Sequence, residues 1–500
     1  MARILVSRFS AMGDVAMLIP VLYSVARLNP EHEFTLLTQP FFAKLLLNAP
    51  TNLKSMTIDV KGEAHSLWGL LRYIGRLADE HFDICIDAHD VLRTKLIRWS
   101  LGLRGVKVHH LNKPRKARAY LLANKAQNTN EGVVPRMQSL YERCFLEAGL
   151  RCPNGDYEQI KLDDGLASSE ELKTIYAEAF AEEPIVGIAP FASTASKTCD
   201  LSLIERVVAL LSAEGIPIYL FGGKGKEADE LAVWAQKYPH VRSLAGQLCL
   251  SDELLLMSRL RVMLSMDSAN MHFASMLGVP VVSVWCATHP YAGFLGMGQK
   301  LEDCVQDERL DCRPCSIFGV VKSCKYGDMP CRKPMSDKQI ADKLFKVYKG
   351  MIEMKLRINK LISDAGLGSR REVDDLIRRG RVRINGKRAD LGDMVGVQDV
   401  VLFDDMDLPV KELIQEHFAL EKVVKYEQAK DNKVRTKDRA SERAESQRLQ
   451  HASKSAALRK TSKNNPINKA KARSLEIDLL EEPKEHRPQR HSGTRGGQRR

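Results

Sequence analysis

The sequence predicts an α/β chain built on two parallel, doubly wound sheets, and three observations point there. Short apolar runs alternate with helix-length amphipathic stretches from Ala2 to Met351, the pattern of strand–helix–strand units. Two of these runs end in small or acidic residues just before a helix, Gly13-Asp14 and Asp267-Ser268. The pattern also restarts near Pro184, which gives two halves of about 150–180 residues, each a full domain in size.

In order, Ala2–Arg8 reads as a strand, Ser10-Ala11-Met12-Gly13-Asp14 as a tight turn, and Val15–Leu28 as an apolar helix carrying Pro20. Phe34–Leu37 and Ile84–Asp87 are strands flanking a helix around His65–Glu80. The second half runs through strand Ile185–Ala189, helix Leu201–Ala213 and strand Ile216–Phe221 into Gly222-Gly223. Helices Lys226–Tyr238 and Asp252–Arg259 follow. The apolar runs Val262–Leu264 and Val281–Val284 read as buried parallel strands. Between them Asn270–Leu277 fits a short helix, stopped by Gly278 and Pro280. Ser336–Met351 is the helix expected to close this body.

Asp267 and Ser268 therefore fall in a turn after a strand and before a helix N-terminus. In an open α/β sheet that turn lies at the carboxyl edge, where ligands bind. Free N–H groups and the helix dipole make it a seat for a diphosphate, although an acidic or hydroxyl residue there also serves as a plain helix cap. Gly13 points to a close backbone approach or a positive φ, and Asp14 is a carboxylate on a helix N-terminus.

Arg8-Phe9-Ser10-Ala11-Met12-Gly13-Asp14-Val15, then Ala195-Ser196-Lys197, then Asp267–Ala274 resemble, in that order, glycosyltransferase family nine, the ADP-heptose:lipopolysaccharide heptosyltransferases. The resemblance covers about residues 1–350. It implies the two-domain GT-B fold, with residues 1–165 on the acceptor side and 166–350 holding the nucleotide-sugar, most simply ADP-heptose. The acceptor would be a lipid-linked glycan of the lipopolysaccharide core or a related envelope polymer. By resemblance, Asp14 is the general base and Lys197 contacts phosphate or an acidic acceptor. Asp267, Ser268, Ala269, Met271 and His272, with Gly13, would hold the donor diphosphate. Gly222, Gly223 and Glu227 match the Gly-rich turn and acidic residue near the donor nucleoside. The chain departs from the family at Phe191-Ala192-Ser193-Thr194, at Cys199-Asp200 and at Ser268-Ala269, where many members have Thr-Gly. Those departures leave the sugar and the acceptor open. Glycosyl transfer needs a base for the attacking hydroxyl and positive charge for the departing diphosphate. Side chains and a helix dipole can supply that charge, so catalysis is expected to need no metal cofactor; it is also expected to be inverting.

Eleven cysteines are present, five of them within residues 304–331. Cys312, Cys315, Cys324 and Cys331 give the spacing C-x2-C-x8-C-x6-C. In a reducing compartment such a set fits a structural zinc site or a cysteine-bearing loop that packs without metal.

Leu356–Phe403 contains Arg357-Ile358-Asn359-Lys360-Leu361, Gly366-Leu367-Gly368-Ser369-Arg370-Arg371-Glu372 and Ile377–Lys387. This resembles the S-four RNA-binding module of a small-subunit ribosomal protein and many pseudouridine synthases, here taken as residues 354–405. Ser369 caps a helix bearing Arg370 and Arg371, and Asn385-Gly386 is a hairpin turn. Residues 355–388 hold 11 Lys and Arg against 4 Asp and Glu, a balance suited to the phosphates of structured RNA. Arg357, Lys360, Arg370, Arg371, Arg381 and Lys387 are the candidate contacts. No pseudouridine synthase catalytic domain follows, so the module is expected to bind RNA without modifying it.

The formal charge is +13, and residues 421–500 hold 22 Lys and Arg against 11 Asp and Glu. The body is thus nearly neutral and no general polyanion binder. The aromatic-poor tail reads as disordered, able to add RNA affinity or to touch the inner face of the cytoplasmic membrane. No apolar stretch reaches the roughly 20 residues of a membrane span. The N-terminus opens on a strand rather than a secretory signal, so a cytoplasmic location is expected. Two functions remain open at this level: a glycosyltransferase with an RNA-binding appendage, or an RNA-binding, ribosome-associated protein with a non-catalytic transferase-like body.

Overall fold

A computed structural model describes residues 1–162, 184–352, 355–397, 399–404 and 406–410, together with Leu172, Ile175, Leu413, Ile414 and His417. The expected boundary at 165/166 and the tail at 421–500 lie outside these residues. The chain divides into two compact units, Met1–Lys349 and one that starts at Gly350.

The first unit carries both expected sheets. One is all parallel in the order β3-β2-β1-β4-β5, from Leu53–Thr57, Glu33–Thr38, Arg3–Ser7, Ile84–Asp87 and Lys107–His110. The other is also all parallel, in the order β11-β10-β9-β6-β7-β8. Its strands are Cys304–Val305, Val281–Val284, Val262–Met266, Val186–Ala189, Ile218–Leu220 and Val241–Ser243. In each sheet the chain winds one way from its first strand and then returns to wind the other way. That leaves a switch point between β1 and β4, and a second between β6 and β9.

The helix Met12–Leu28 is buried at every position from Val15 to Ala26. This explains its unbroken apolar run, since a helix enclosed on all sides needs no polar face. It packs against the helix Ala269–Met276 of the second half, and residues of both halves share one apolar core. The first helix also starts earlier than the sequence suggested. Met12, Gly13 and Asp14 are its first turn, because the Asp14 carboxylate accepts from the Ala11 N–H at 3.1 Å and caps the helix there. Gly13 consequently has helical rather than positive φ. Among the described residues no helix is long and apolar enough to cross a membrane.

The second unit is small and α+β. Helices Ile358–Asp364 and Arg370–Arg378 pack with an antiparallel sheet of order β14-β13-β16-β17, made from Lys387–Arg388, Val382–Ile384, Val401–Phe403 and Met406–Asp407. β12 (Lys355–Arg357) pairs with β15 (Met394–Gly396). Ile358, Leu361, Val373, Ile377, Val382 and Val401 are among the residues of its own core. The expected cap is present: the Ser369 N–H donates to Glu372 Oε2 at 2.7 Å, and the Glu372 N–H donates to Ser369 Oγ at 3.4 Å. Asn385 and Gly386, at φ of 50° and 78°, make the hairpin turn.

Candidate active site between the two sheets

Both switch points open onto one cleft. The Arg8–Asp14 turn leaves the carboxyl end of β1 and His89-Asp90 that of β4. Opposite them, Phe191–Lys197 follows β6 and Asp267-Ser268 follows β9. The walls close around a cavity of about 890 Å³, large enough for a nucleotide-sugar. Gly13, Asp14, Lys197, Gly222, Gly223, Glu227, Asp267, Ser268, Ala269 and His272 all line it. Met271 does not. It is fully buried in the apolar core, because successive positions of a helix step by about 100° and its side chain falls on the inward side. Asn270 and Phe273 line the wall instead.

The two helix N-termini meet here. A Cβ on Gly13 would stand 2.7 Å from His272 Cδ2 and 3.7 Å from Ala269 Cα, so only glycine lets the halves approach this closely. Ser268, the N-cap of the second helix, makes no side-chain bond to that helix. Its first-turn N–H groups and dipole, beside those of Met12–Leu28, converge on the cavity as an anion-binding end.

Asp14 is a wall of this cavity and also of a smaller one of about 210 Å³ lined by Arg8, His89, Lys113 and Arg118. Its Oδ2 accepts from the Ala11 N–H and pairs with Arg8 Nη2 at 2.7 Å. Both bonds end on one oxygen, which leaves Oδ1 to take a proton. Arg8 is itself held: Nη1 donates to the Ala88 carbonyl at 2.7 Å, and the guanidinium lies 5.7 Å from the Tyr141 ring centre. The Nε atoms of Arg8 and Arg118 are buried without a protein partner. Two such cations beside one small hollow suit an anionic group on an incoming molecule. Phe294 and Phe318, ring centres 5.8 Å apart, line both cavities under the Arg118 guanidinium. Arg118 was not singled out in the sequence, yet it had a signal: residues 91–130 hold ten Lys and Arg and no Asp or Glu.

Across the cleft, Lys197 Nζ lies 2.9 Å from Asp267 Oδ2, which also accepts from Thr288 Oγ1 at 2.8 Å. Asp267 thus anchors the ammonium. Glu227 Oε2 accepts from the Gly223 N–H at 2.7 Å, which stiffens the Gly-rich turn. Glu253, unremarked in the sequence, lines the same cavity with its carboxyl pushed up to about 7 by burial.

Burial keeps three histidines neutral: His272 is pulled down to about 4, and His89 and His289 to about 3. Unfolding exposes them to their ordinary value near 6.5. Between pH 6.5 and about 4 the unfolded chain therefore binds more protons than the folded one, and stability falls as pH falls. Each group contributes up to about 1.4 kcal/mol per pH unit. Denaturant midpoints at pH 7 and pH 5 should show this, and a His89→Gln, His272→Gln pair should flatten the slope.

The zinc expectation is not met. Among the described residues no three His, Cys, Asp or Glu side chains come together to hold a metal ion. Cys331 is buried in an apolar core with Cys199 and Cys286, Cys315 Sγ bonds the Cys312 carbonyl at 3.4 Å, and the Tyr326 N–H donates to Cys324 Sγ at 3.4 Å. The loop is instead fastened by Arg313, wholly buried, which donates to the carbonyls of Trp285, Cys286, Asp307 and Thr288. It thereby presents Ile317 and Phe318 to the cavity.

In the second unit, Arg357, Lys360 and Arg370 line one hollow of about 280 Å³. Arg371 and Lys387 are exposed elsewhere on that unit, and Arg381 is held by Asp404 through Nε and Nη2.

Both units resemble known proteins. The family model described as "Glycosyltransferase family 9 (heptosyltransferase)" matches residues 70–316, and that of the S4 domain matches residues 356–401. Lipopolysaccharide heptosyltransferase 1 of Pseudomonas aeruginosa is 22% identical over 333 residues, 65% of this chain and 88% of that protein. A family 9 glycosyl transferase structure from Veillonella parvula superposes with a TM-score of 0.55 at 15% identity, covering 70% of this chain and 98% of its own. The dual-specificity RNA pseudouridine synthase RluF of Salmonella typhi is 58% identical over 45 residues, 9% of this chain. The chain spans only 16% of that synthase's length.

Proposed function

We propose that this chain, in which residues 70–316 form a glycosyltransferase family 9 domain and residues 356–401 an S4 domain, moves heptose from ADP-heptose to a lipopolysaccharide-core or related lipid-linked glycan. The observation that carries this is the position of Asp14. Its carboxylate is the shared wall between a cavity of nucleotide-sugar size and a small cationic one. An acceptor hydroxyl presented from the second would meet the donor in the first with a base between them.

Asp14 takes the acceptor proton on Oδ1 while Arg8 and the Ala11 N–H hold Oδ2. The hydroxyl attacks the anomeric carbon from the face opposite the diphosphate, which inverts that centre. Charge growing on the leaving group is met by Lys197 and the N–H groups of the Ala269–Met276 helix. These groups supply the neutralisation that a metal provides in other transferases. Asp267 positions Lys197, while Gly222, Gly223 and Glu227 shape the nucleoside end. Arg8 and Arg118 receive an acidic group of the acceptor. The test is release of ADP from ADP-heptose by the full chain, dependent on a core-glycan acceptor. Absence of turnover across nucleotide-sugars would favour a non-catalytic body.

The S4 domain supports RNA binding as a second activity, with chemistry confined to the first unit. Arg370→Ala with Arg371→Ala in the full chain should weaken binding of structured RNA and reduce the dependence of log affinity on log salt by about 1–2. Sugar transfer should be unaffected. Filter binding across a salt series would show this, and an unchanged slope would remove both arginines from the contact.

A further inference from the structure

Helices Leu67–Ala78 and Leu92–Gly102 lie side by side in the first unit. They cover the sheet face opposite Met12–Leu28, over a core that includes Leu5, Leu37 and Ile58. Each buries one stripe there: Leu70, Tyr73, Ile74 and Leu77 from the first, Thr94, Ile97 and Leu101 from the second. A surface helix ordinarily presents polar residues on its other side. These two do not. Trp68 is 81% exposed, Leu92 75%, Trp99 69% and Leu103 76%, with Leu67 and Leu71 beside Trp68 also exposed. At about 100° per residue, Leu92, Trp99 and Leu103 fall within about 40° of one another. That places them diametrically opposite the buried stripe, so the second helix is apolar on two opposed faces. Solvent-exposed stripes of this kind mark an interaction surface.

The charge around the stripes identifies the partner. The two helices carry five Lys and Arg and no Asp or Glu; Arg76 pairs with Glu63, and Lys95 and Arg98 pair with Asp90, which leaves Arg72 and Arg93, with Arg104 and Lys107 just beyond the second helix, to face a partner. A second copy of the chain docking by the same face would set these cations against their own images. The chain's own tail, at 22 basic residues to 11 acidic, is repelled in the same way. Nucleic acid would satisfy the cations but offers the leucines nothing apolar to enter. An anionic bilayer satisfies both: Trp and Leu enter the headgroup–acyl boundary, while Lys and Arg stay among the headgroups.

We infer that this face seats the protein peripherally on an anionic lipid bilayer. The inference is independent of which sugar is moved, and its failure would leave the transfer reaction untouched. The tryptophans make it testable in the full chain. Of the four, Trp234 and Trp285 are buried and Trp68 and Trp99 exposed, and the tail has none. Electrostatic adhesion of the tail or the S4 domain therefore cannot bring a tryptophan into acyl chains.

The probe is vesicles of phosphatidylcholine and phosphatidylglycerol whose phosphatidylcholine is brominated on the acyl chain. Wild-type fluorescence should shift to the blue and be quenched, whereas pure phosphatidylcholine vesicles should give little change. Leu92→Ser with Leu103→Ser keeps both reporters and touches no core. It should lower partitioning about tenfold or more, with the melting temperature unchanged. Quenching absent in the wild type, or equal in the double variant, overturns the proposal. So does a loss in that variant of concentration-dependent dimerisation or of RNA affinity with no wild-type quenching, which would assign the face to a second copy or to nucleic acid.

Discussion

Asp14→Asn should lower turnover about 10²–10⁴-fold, the loss typical of a removed general base, and leave the fold intact. The amide keeps an oxygen for the Ala11 N–H and for Arg8 Nη2, so the cap and the contact that orients the side chain survive. What disappears is the second oxygen's ability to take the proton of an attacking hydroxyl. Donor affinity should change little, because Lys197 and the first turn of Ala269–Met276 stand on the other half of the cleft. The competing account is that Asp14 serves only as a cap. Asn is nearly as good a cap as Asp, so that account expects a silent substitution. The two are told apart by kcat with ADP-heptose and a core-glycan acceptor, measured beside donor affinity. Wild-type kcat in the variant would take Asp14 out of the mechanism. A collapse of donor affinity with kcat preserved would mean that Asp14 supports binding.

The parts of this site that could be read from sequence are those where backbone geometry alone dictates residue type. Gly13 is such a position: no side chain fits between Met12–Leu28 and His272. Buried parallel strands such as Ile84–Asp87 were legible because both faces are covered and the run is apolar throughout. Side-chain direction was not legible. Met271 and His272 are adjacent and both read as donor contacts, yet a 100° step sends one into the core and the other toward the cleft. The cysteine spacing did not separate a metal site from packed thiols, because both can show the same pattern in sequence. Arg8 stood in the recognised motif with no role assigned. Its role depends on Asp14, Ala88 and Tyr141, the last two of them distant in sequence and brought together only by the fold.

Lys197→Ala should separate catalysis from stability. Lys197 and Asp267 are largely buried together at 2.9 Å. Removing the ammonium leaves a carboxylate 4% exposed with Thr288 as its remaining bonded partner at Oδ2. Breaking a buried pair from one side costs about 3–5 kcal/mol, so the melting temperature should drop. Turnover should fall about 10²–10³-fold, as when one group that stabilises developing charge is deleted, and donor affinity should weaken with it. Loss of activity alone would not distinguish a lysine that meets the diphosphate from one that merely neutralises Asp267. The double variant Lys197→Ala with Asp267→Asn does. The amide that replaces the carboxylate is uncharged and still accepts from Thr288, so the melting temperature should recover toward wild type. If Lys197 acts on the diphosphate, kcat stays low, because no cation has returned to the site. If its only task is to offset Asp267, the second substitution restores turnover too, and the charge on the leaving group must then be met by the helix N-terminus alone. The coupling between the two positions, measured separately in stability and in kcat, should be large in the first and near zero in the second.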